Sequence, residues 1–182
     1  MEQSALERKA KQIKMLIMDV DGVMTDGSII VDAEGKGFKI FNARDGVGIE
    51  LLHLTPIIPV IITKDKGDII SIRAKRLKVS EVYPGVINKA AILDKLLAQY
   101  NLDSDQAAYI GDDLNDLPVM KRVGLAVAVA DGAEEVIRQA DYVTEKAGGQ
   151  GAIREIIILI LKAQGIYEET VERYVSLHDS GG

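Results

Sequence analysis

The sequence predicts an α/β protein built on a doubly wound parallel sheet, and three observations carry that prediction. Short, almost wholly apolar runs alternate with longer segments of helical period along most of the chain. Such runs suit parallel strands covered on both faces, and their alternation with helices implies right-handed βαβ units. Asp19, Thr63 and Asp112 stand at or just after the ends of three of these runs. In a doubly wound sheet that is the edge where ligands bind.

The strands are expected at Lys14–Met18 (KMLIM), Ile57–Thr63 (IIPVIIT), Glu81–Tyr83 (EVY), Ala107–Gly111 (AAYIG) and Leu125–Val129 (LAVAV). The clearest helical stretches are Gly46–Leu54, Lys66–Leu77, Asn88–Tyr100 and Asp113–Val123. Gly27–Phe41 breaks the pattern with two β-type runs around AEGKG, and reads as a β-hairpin projecting just after the first strand. Near the end come a long helical stretch, Ala152–Gln164, and a shorter amphipathic one, Tyr167–Val175. The final SLHDSGG reads as a mobile tail. Neither a long linker nor a repeat interrupts the chain, so its 182 residues are expected to form a single domain, 1–182.

Composition narrows the function. The chain is 47% hydrophobic and 27% charged, which excludes wholesale disorder. A net charge of −6 argues against a nucleic-acid partner, which usually needs a basic face. The absence of cysteine excludes disulfides, thiolate metal sites and cysteine nucleophiles. The opening MEQSALERKAKQ is charged and has no apolar signal core. The most apolar late run, AIREIIILILKA, holds Arg154 and Glu155 and falls short of the ~20 residues that span a bilayer. A soluble cytoplasmic protein without a membrane partner is expected.

The densest chemical signal is Asp19-Val20-Asp21-Gly22-Val23-Met24-Thr25-Asp26-Gly27, directly after an apolar strand. Alternate residues of an extended chain point the same way, so Asp19 and Asp21 crowd like charges together, and a divalent cation would relieve that cost. A second acidic cluster, Gly111-Asp112-Asp113-Leu114-Asn115-Asp116, again follows an apolar strand. Oxygen-rich clusters suit a hard ion such as Mg2+. Aspartates in either cluster also serve as helix N-caps.

These two strings resemble the first and fourth motifs of the haloacid dehalogenase superfamily. Thr63, at a strand end, matches its second motif, and Lys89, at a helix start, matches its third. DVDGVMTDGSIIV, FNARDGVGIELL, GDDLNDLPVM and GGQGAIREII are further similar to its cap-less 3-deoxy-D-manno-octulosonate 8-phosphate phosphatase-like subfamily, from about Ile13 to about Ile166. One position departs from it: Lys64 and Asp65 stand where the family usually has Gly-Arg after the Thr.

The resemblance implies a Rossmann-like core with no large cap domain, and phosphomonoester hydrolysis through an aspartyl-phosphate. Asp19 would be the nucleophile and Asp21 the general acid and base. Asp19, Asp112 and the main-chain carbonyl of Asp21 would hold Mg2+. Thr63 and Lys89 would contact the phosphoryl group, and Asp113 and Asp116 would orient waters and Lys89. Arg44 and Asp45 are candidate contacts for an anionic sugar acid, with a surface salt bridge as the other reading of Arg44. Gly148–Gly151 is either a loop near substrate or a helix entry. The implied partners are a phosphorylated acid sugar and three further copies of the chain, in a homotetramer whose hairpins cover neighbouring sites; an ordinary surface hairpin is the alternative. A nine-carbon ulosonate 9-phosphate is the alternative substrate. A non-catalytic oligomerisation module is the alternative function.

Overall fold

The computed structural model of the protein describes residues 4–179. In chain order its elements are α1 (Ala5–Gln12), β1 (Met15–Met18), β2 (Ile30–Val31), β3 (Gly37–Phe38), α2 (Ala43–Leu52), β4 (Ile58–Ile62), α3 (Asp68–Arg76) and β5 (Glu81–Tyr83). There follow α4 (Lys89–Tyr100), β6 (Ala107–Gly111), α5 (Leu117–Met120), β7 (Leu125–Ala128), α6 (Glu134–Gln139), β8 (Tyr142–Val143), α7 (Ala152–Ala163) and α8 (Tyr167–Asp179).

Six strands form one parallel sheet in the order β5-β4-β1-β6-β7-β8, and β2 pairs with β3 in a separate antiparallel hairpin. The chain winds outward from β1 through β4 and β5. It then crosses back and winds the other way through β6, β7 and β8. This reversal opens a crevice between the carboxyl ends of β1 and β6. The register sets Met18 beside Ile110, and the Asp19 amide donates to the Ile110 carbonyl at 3.2 Å. Two of the acidic segments are thereby held side by side at the switch point.

The expected burial on both faces follows from the pleat. Leu16 and Met18 of β1 join Ile61, Ile110, Leu125 and Val127 in a core with Ile49 and Leu52 of α2 and Ile153, Ile156 and Ile160 of α7. Their alternates, Met15 and Ile17, join Val60, Ile62, Tyr109 and Ala126 against Leu93 and Leu96 of α4 and Val136 of α6. Period two in the strands thus meets period 3.6 in the helices on either side.

Several elements differ from expectation. Helices α1 and α6 and strand β8 lie outside the elements expected from sequence. In α1, Ser4 Oγ caps the Glu7 amide at 3.2 Å, and Ala10 is buried in the core. The helix expected over Asp113–Val123 is a 3₁₀ turn, Leu114–Asp116, followed by the single-turn α5. The Asp113 and Asp116 side chains bind nearby main-chain amides here, which shortens the regular helix. The hairpin is present, but its strands hold two residues each. Of the tail, Ser176–Asp179 complete α8, and residues 180–182 lie outside those described.

The Gly148–Gly151 segment packs against the back of the DVDG loop. The Gly149 amide donates to the Val23 carbonyl at 2.9 Å, and a Cβ on Gly148 would overlap the Gly22 carbonyl. Helix α7 starts immediately after it.

Candidate active site

Four chain segments meet around a buried ammonium. Asp19 directly follows β1, and only 4% of it is exposed. Lys89 opens α4, whose N-terminus is capped by Asn88 Oδ1 accepting from the Ala91 amide at 3.1 Å. That placement carries Lys89 Nζ to 2.7 Å from Asp19 Oδ2 and 2.6 Å from Asp116 Oδ1. Nζ also donates to the Tyr109 hydroxyl at 3.0 Å, and that hydroxyl donates to Asp116 Oδ1 at 2.6 Å. The remaining Asp116 oxygen, Oδ2, accepts from the amides of Asp112 at 2.9 Å and Asp113 at 3.4 Å. Asp19 Oδ1 accepts from the Val20 amide at 2.7 Å.

Burial sets the electrostatics. It pushes the Asp19 carboxyl up to about 7; the Asp116 charge adds to the rise and Lys89 opposes it. Asp112 is pushed up to about 8 by burial and by the charges of Asp116 and Asp19. Burial disfavours the charge on Lys89, but Asp19 and Asp116 outweigh it and hold the ammonium above its ordinary value. Burial raises the Tyr109 hydroxyl well above its usual range, with Asp19 and Asp116 adding to the effect, so it remains a donor.

A divalent cation suits this arrangement. Asp19, Asp112 and Asp116 each present a carboxylate oxygen, and the three atoms lie within 4.8 Å of one another. Each oxygen of Asp116 already accepts two hydrogen bonds, from Lys89 and Tyr109 on one side and two main-chain amides on the other, whereas each Asp19 oxygen has a single partner, so Asp19 and Asp112 are the better placed donors. Gly22 makes room for the second of these. Its φ is +83°, and a Cβ there would overlap Asp112 Oδ2. Two carboxylates with raised proton affinity and a hard-oxygen donor set match the needs of Mg2+.

The other expected residues divide. Thr63 directly follows β4, is 1% exposed, and accepts from the Asp65 amide at 3.1 Å through its hydroxyl. Asp21 lies in the loop after β1 and pairs with Lys39. Asp113 caps the following turn, accepting from the Leu114 amide at 2.7 Å, and is exposed. Asp45 is buried, and its Oδ1 accepts from the Arg154 amide at 2.8 Å. It therefore acts as a cap for α7, whose first amides need an acceptor. Arg44 is exposed. It lines a cavity of about 540 Å³ with Tyr142, Lys146 and Arg154, whose wall includes none of Asp19, Asp21, Thr63, Lys89 or Asp112.

Two residues of the site escaped sequence reasoning. Tyr109 was legible only as a strand residue, although a hydroxyl inside the otherwise apolar AAYIG run signals a buried polar partner. Lys39 carried no signal, since a lysine in a surface hairpin is ordinary.

Comparison with known proteins agrees with this geometry. Residues 58–157 match the haloacid dehalogenase-like hydrolase family. The 3-deoxy-D-manno-octulosonate 8-phosphate phosphatase of Escherichia coli K12 is 45% identical over 161 residues, covering 88% of this chain and 86% of the relative. The crystal structure of the Yersinia pestis phosphatase of that name superposes with a TM-score of 0.89 at 44% identity, covering 91% of this chain and 89% of the other. That of Moraxella catarrhalis, in complex with magnesium ion, phosphate ion and KDO, gives 0.91 at 38% identity, covering 95% and 99%. The order of the motifs, the switch-point carboxylates and these likenesses together establish that the chain belongs to the haloacid dehalogenase-like hydrolases, among the relatives of the 3-deoxy-D-manno-octulosonate 8-phosphate phosphatases.

Proposed function

We propose that this chain is a Mg2+-dependent phosphomonoesterase that releases 3-deoxy-D-manno-octulosonate from its 8-phosphate, acting as one domain over residues 1–182. The observation that carries the reading is the meeting of Asp19, Asp112 and Lys89 at the switch point, with Lys89 Nζ 2.7 Å from Asp19. The names of the relatives supply the substrate.

An Asp19 oxygen attacks phosphorus as the bond to the leaving oxygen breaks, and the proton of Asp21 goes to that oxygen. Asp21, now a carboxylate, takes a proton from water. The water oxygen attacks phosphorus and releases Asp19, so that ester and water become alcohol and phosphate. Lys89 and Thr63 stabilise charge on the phosphoryl oxygens. Asp116 holds Lys89, and Asp113 holds the turn that carries Asp112. Asp19, Asp112 and the Asp21 carbonyl would hold Mg2+, which would polarise a phosphoryl oxygen and offset the neighbouring carboxylate charges.

A nine-carbon ulosonate 9-phosphate is the second reading. Position 65 motivates the comparison, since an aspartate stands where the family usually has an arginine that could hold an anionic substrate. Intact Asp19, Asp21, Thr63, Lys89 and Asp112 argue against a non-catalytic module. We further propose a cytoplasmic homotetramer. Among the described residues no helix is long and apolar enough to cross a membrane. The hairpin exposes Ile29, Ile30, Val31, Phe38 and Ile40, an apolar patch that another copy would cover.

Asp19→Asn is expected to lower kcat by about 10³-fold or more and to abolish phosphoenzyme trapping; a variant that keeps a tenth of the activity refutes the nucleophile. Phosphate release is expected to be faster from 3-deoxy-D-manno-octulosonate 8-phosphate than from the nine-carbon ester, and the reverse order selects the second reading. Light scattering is expected to give four times the 19.8 kDa chain mass, and an active monomer removes the tetramer.

The raised carboxyls also make the cation's effect depend on pH. A carboxyl that binds its proton more tightly when folded favours folding fully below the ordinary value of 3.8, and loses that contribution as pH climbs through about 7 for Asp19 and about 8 for Asp112. Mg2+ needs both groups ionised, so protons compete with it at lower pH. The rise in Tm on adding Mg2+ is expected to be larger at pH 8 than at pH 6, and to disappear largely in Asp19→Asn. Differential scanning calorimetry showing an equal or smaller rise at pH 8 contradicts the assignment.

A further inference from the structure

The hairpin sends one side chain into the site. Phe38 and Ile40 are 50% and 67% exposed, yet the Lys39 side chain between them is only 13% exposed. Its Nζ pairs with Asp21 Oδ1 and lies 2.9 Å from Asp65 Oδ2. Asp65 is itself held in place. Its Oδ1 accepts from the Gly67 amide at 2.8 Å, and its own amide donates to Thr63 Oγ1 at 3.1 Å. Lys39 draws its carboxyl below the ordinary range, with the Gly67 amide helping, so Asp65 stays charged. Asp21, by contrast, lies in a loop with its side chain 41% exposed, and Lys39 is what holds it.

The departure at position 65 makes sense in this setting. An arginine there would set two cations side by side. An aspartate instead ties the hairpin to the segment after β4 and holds the ammonium on Asp21 Oδ1, which leaves Oδ2 to carry the proton. We propose that Lys39, anchored by Asp65, is a positioning residue that orients the Asp21 carboxyl group for proton transfer to the leaving oxygen. The inference rests on the phosphatase reading and deepens it, since it assigns to the hairpin a task within its own subunit.

Leaving-group dependence tests it. A sugar phosphate expels an alkoxide that needs a proton, whereas p-nitrophenyl phosphate expels an anion that does not. With Mg2+ present, Lys39→Met is expected to lower kcat for the sugar phosphate by roughly 30–100-fold, less than the full ~10²–10⁴-fold of general acid–base catalysis because Asp21 itself remains, and for p-nitrophenyl phosphate by under about 5-fold, with KM little changed. Lys39→Arg should recover most of the loss, and Asp65→Asn should show a smaller loss with the same substrate dependence. Equal losses on both substrates overturn the inference, as does a raised KM for the acid sugar with kcat intact, which would make Lys39 a substrate contact. A wild-type enzyme inert on both substrates brings down the phosphatase reading and the inference together, so the two failures are distinguishable. If Lys39→Met does not fold, Asp65→Asn carries the same comparison from the other end of the ion pair.

Discussion

The carboxyl edge of the sheet depends on one buried ammonium. Lys89 lies between Asp19 and Asp116, and without it three carboxylates would share a desolvated crevice. Removing one partner from such a buried cluster typically costs ~3–5 kcal/mol, because the remaining charges are left unpaired. Every donor and acceptor around Lys89 is matched. Tyr109 accepts from it and donates to Asp116, whose other oxygen gathers two amides of the loop that carries Asp112. The same side chain therefore neutralises Asp19 and, through Asp116, shapes the second cation-binding segment. Structural integrity and the proposed chemistry draw on a single charge.

A different cation organises the outer part of the site. Lys39 joins the DVDG loop to the end of β4, and the hairpin that carries it exposes an apolar surface on its other side. The crevice has no cap of its own among the described residues. The hairpin, too small to be a lid, instead connects motifs that the sheet alone leaves apart. A hairpin with two-residue strands is marginal by itself, so its ion pairs to Asp21 and Asp65 also help to hold it in place.

The parts of this site that were legible from residues were those with strong local constraint. Asp19 and Asp112 follow apolar strands, and the strand ends determine where they point. The family resemblance, and not the residues alone, implied that Asp116 orients Lys89; Asp116 Oδ1 lies 2.6 Å from Lys89 Nζ. The bond from Asp45 to α7 was not legible, because a carboxylate at the start of one helix looks the same in sequence whether it meets a ligand or the N-terminus of another helix. Helix α5 was overextended because the helical period does not reveal that Asp113 and Asp116 would capture the amides of their own turn. Lys39 was invisible because its partners lie 18 and 26 residues away along the chain, in separate elements.

Strand period, apolar run length and carboxylate spacing are local properties, so they already specify the parallel sheet, the burial of both its faces and the two acidic segments. Beyond the link between Asp116 and Lys89 that the resemblance implied, the assembled fold sets which charges neutralise which. Coulombic pairing acts at a few ångströms in space, and the winding order of the strands, with its reversal between β1 and β6, brings Lys89 to Asp19 and Lys39 to Asp65. Chain distance carries no record of that proximity, and so the cation network appears only once the sheet is assembled.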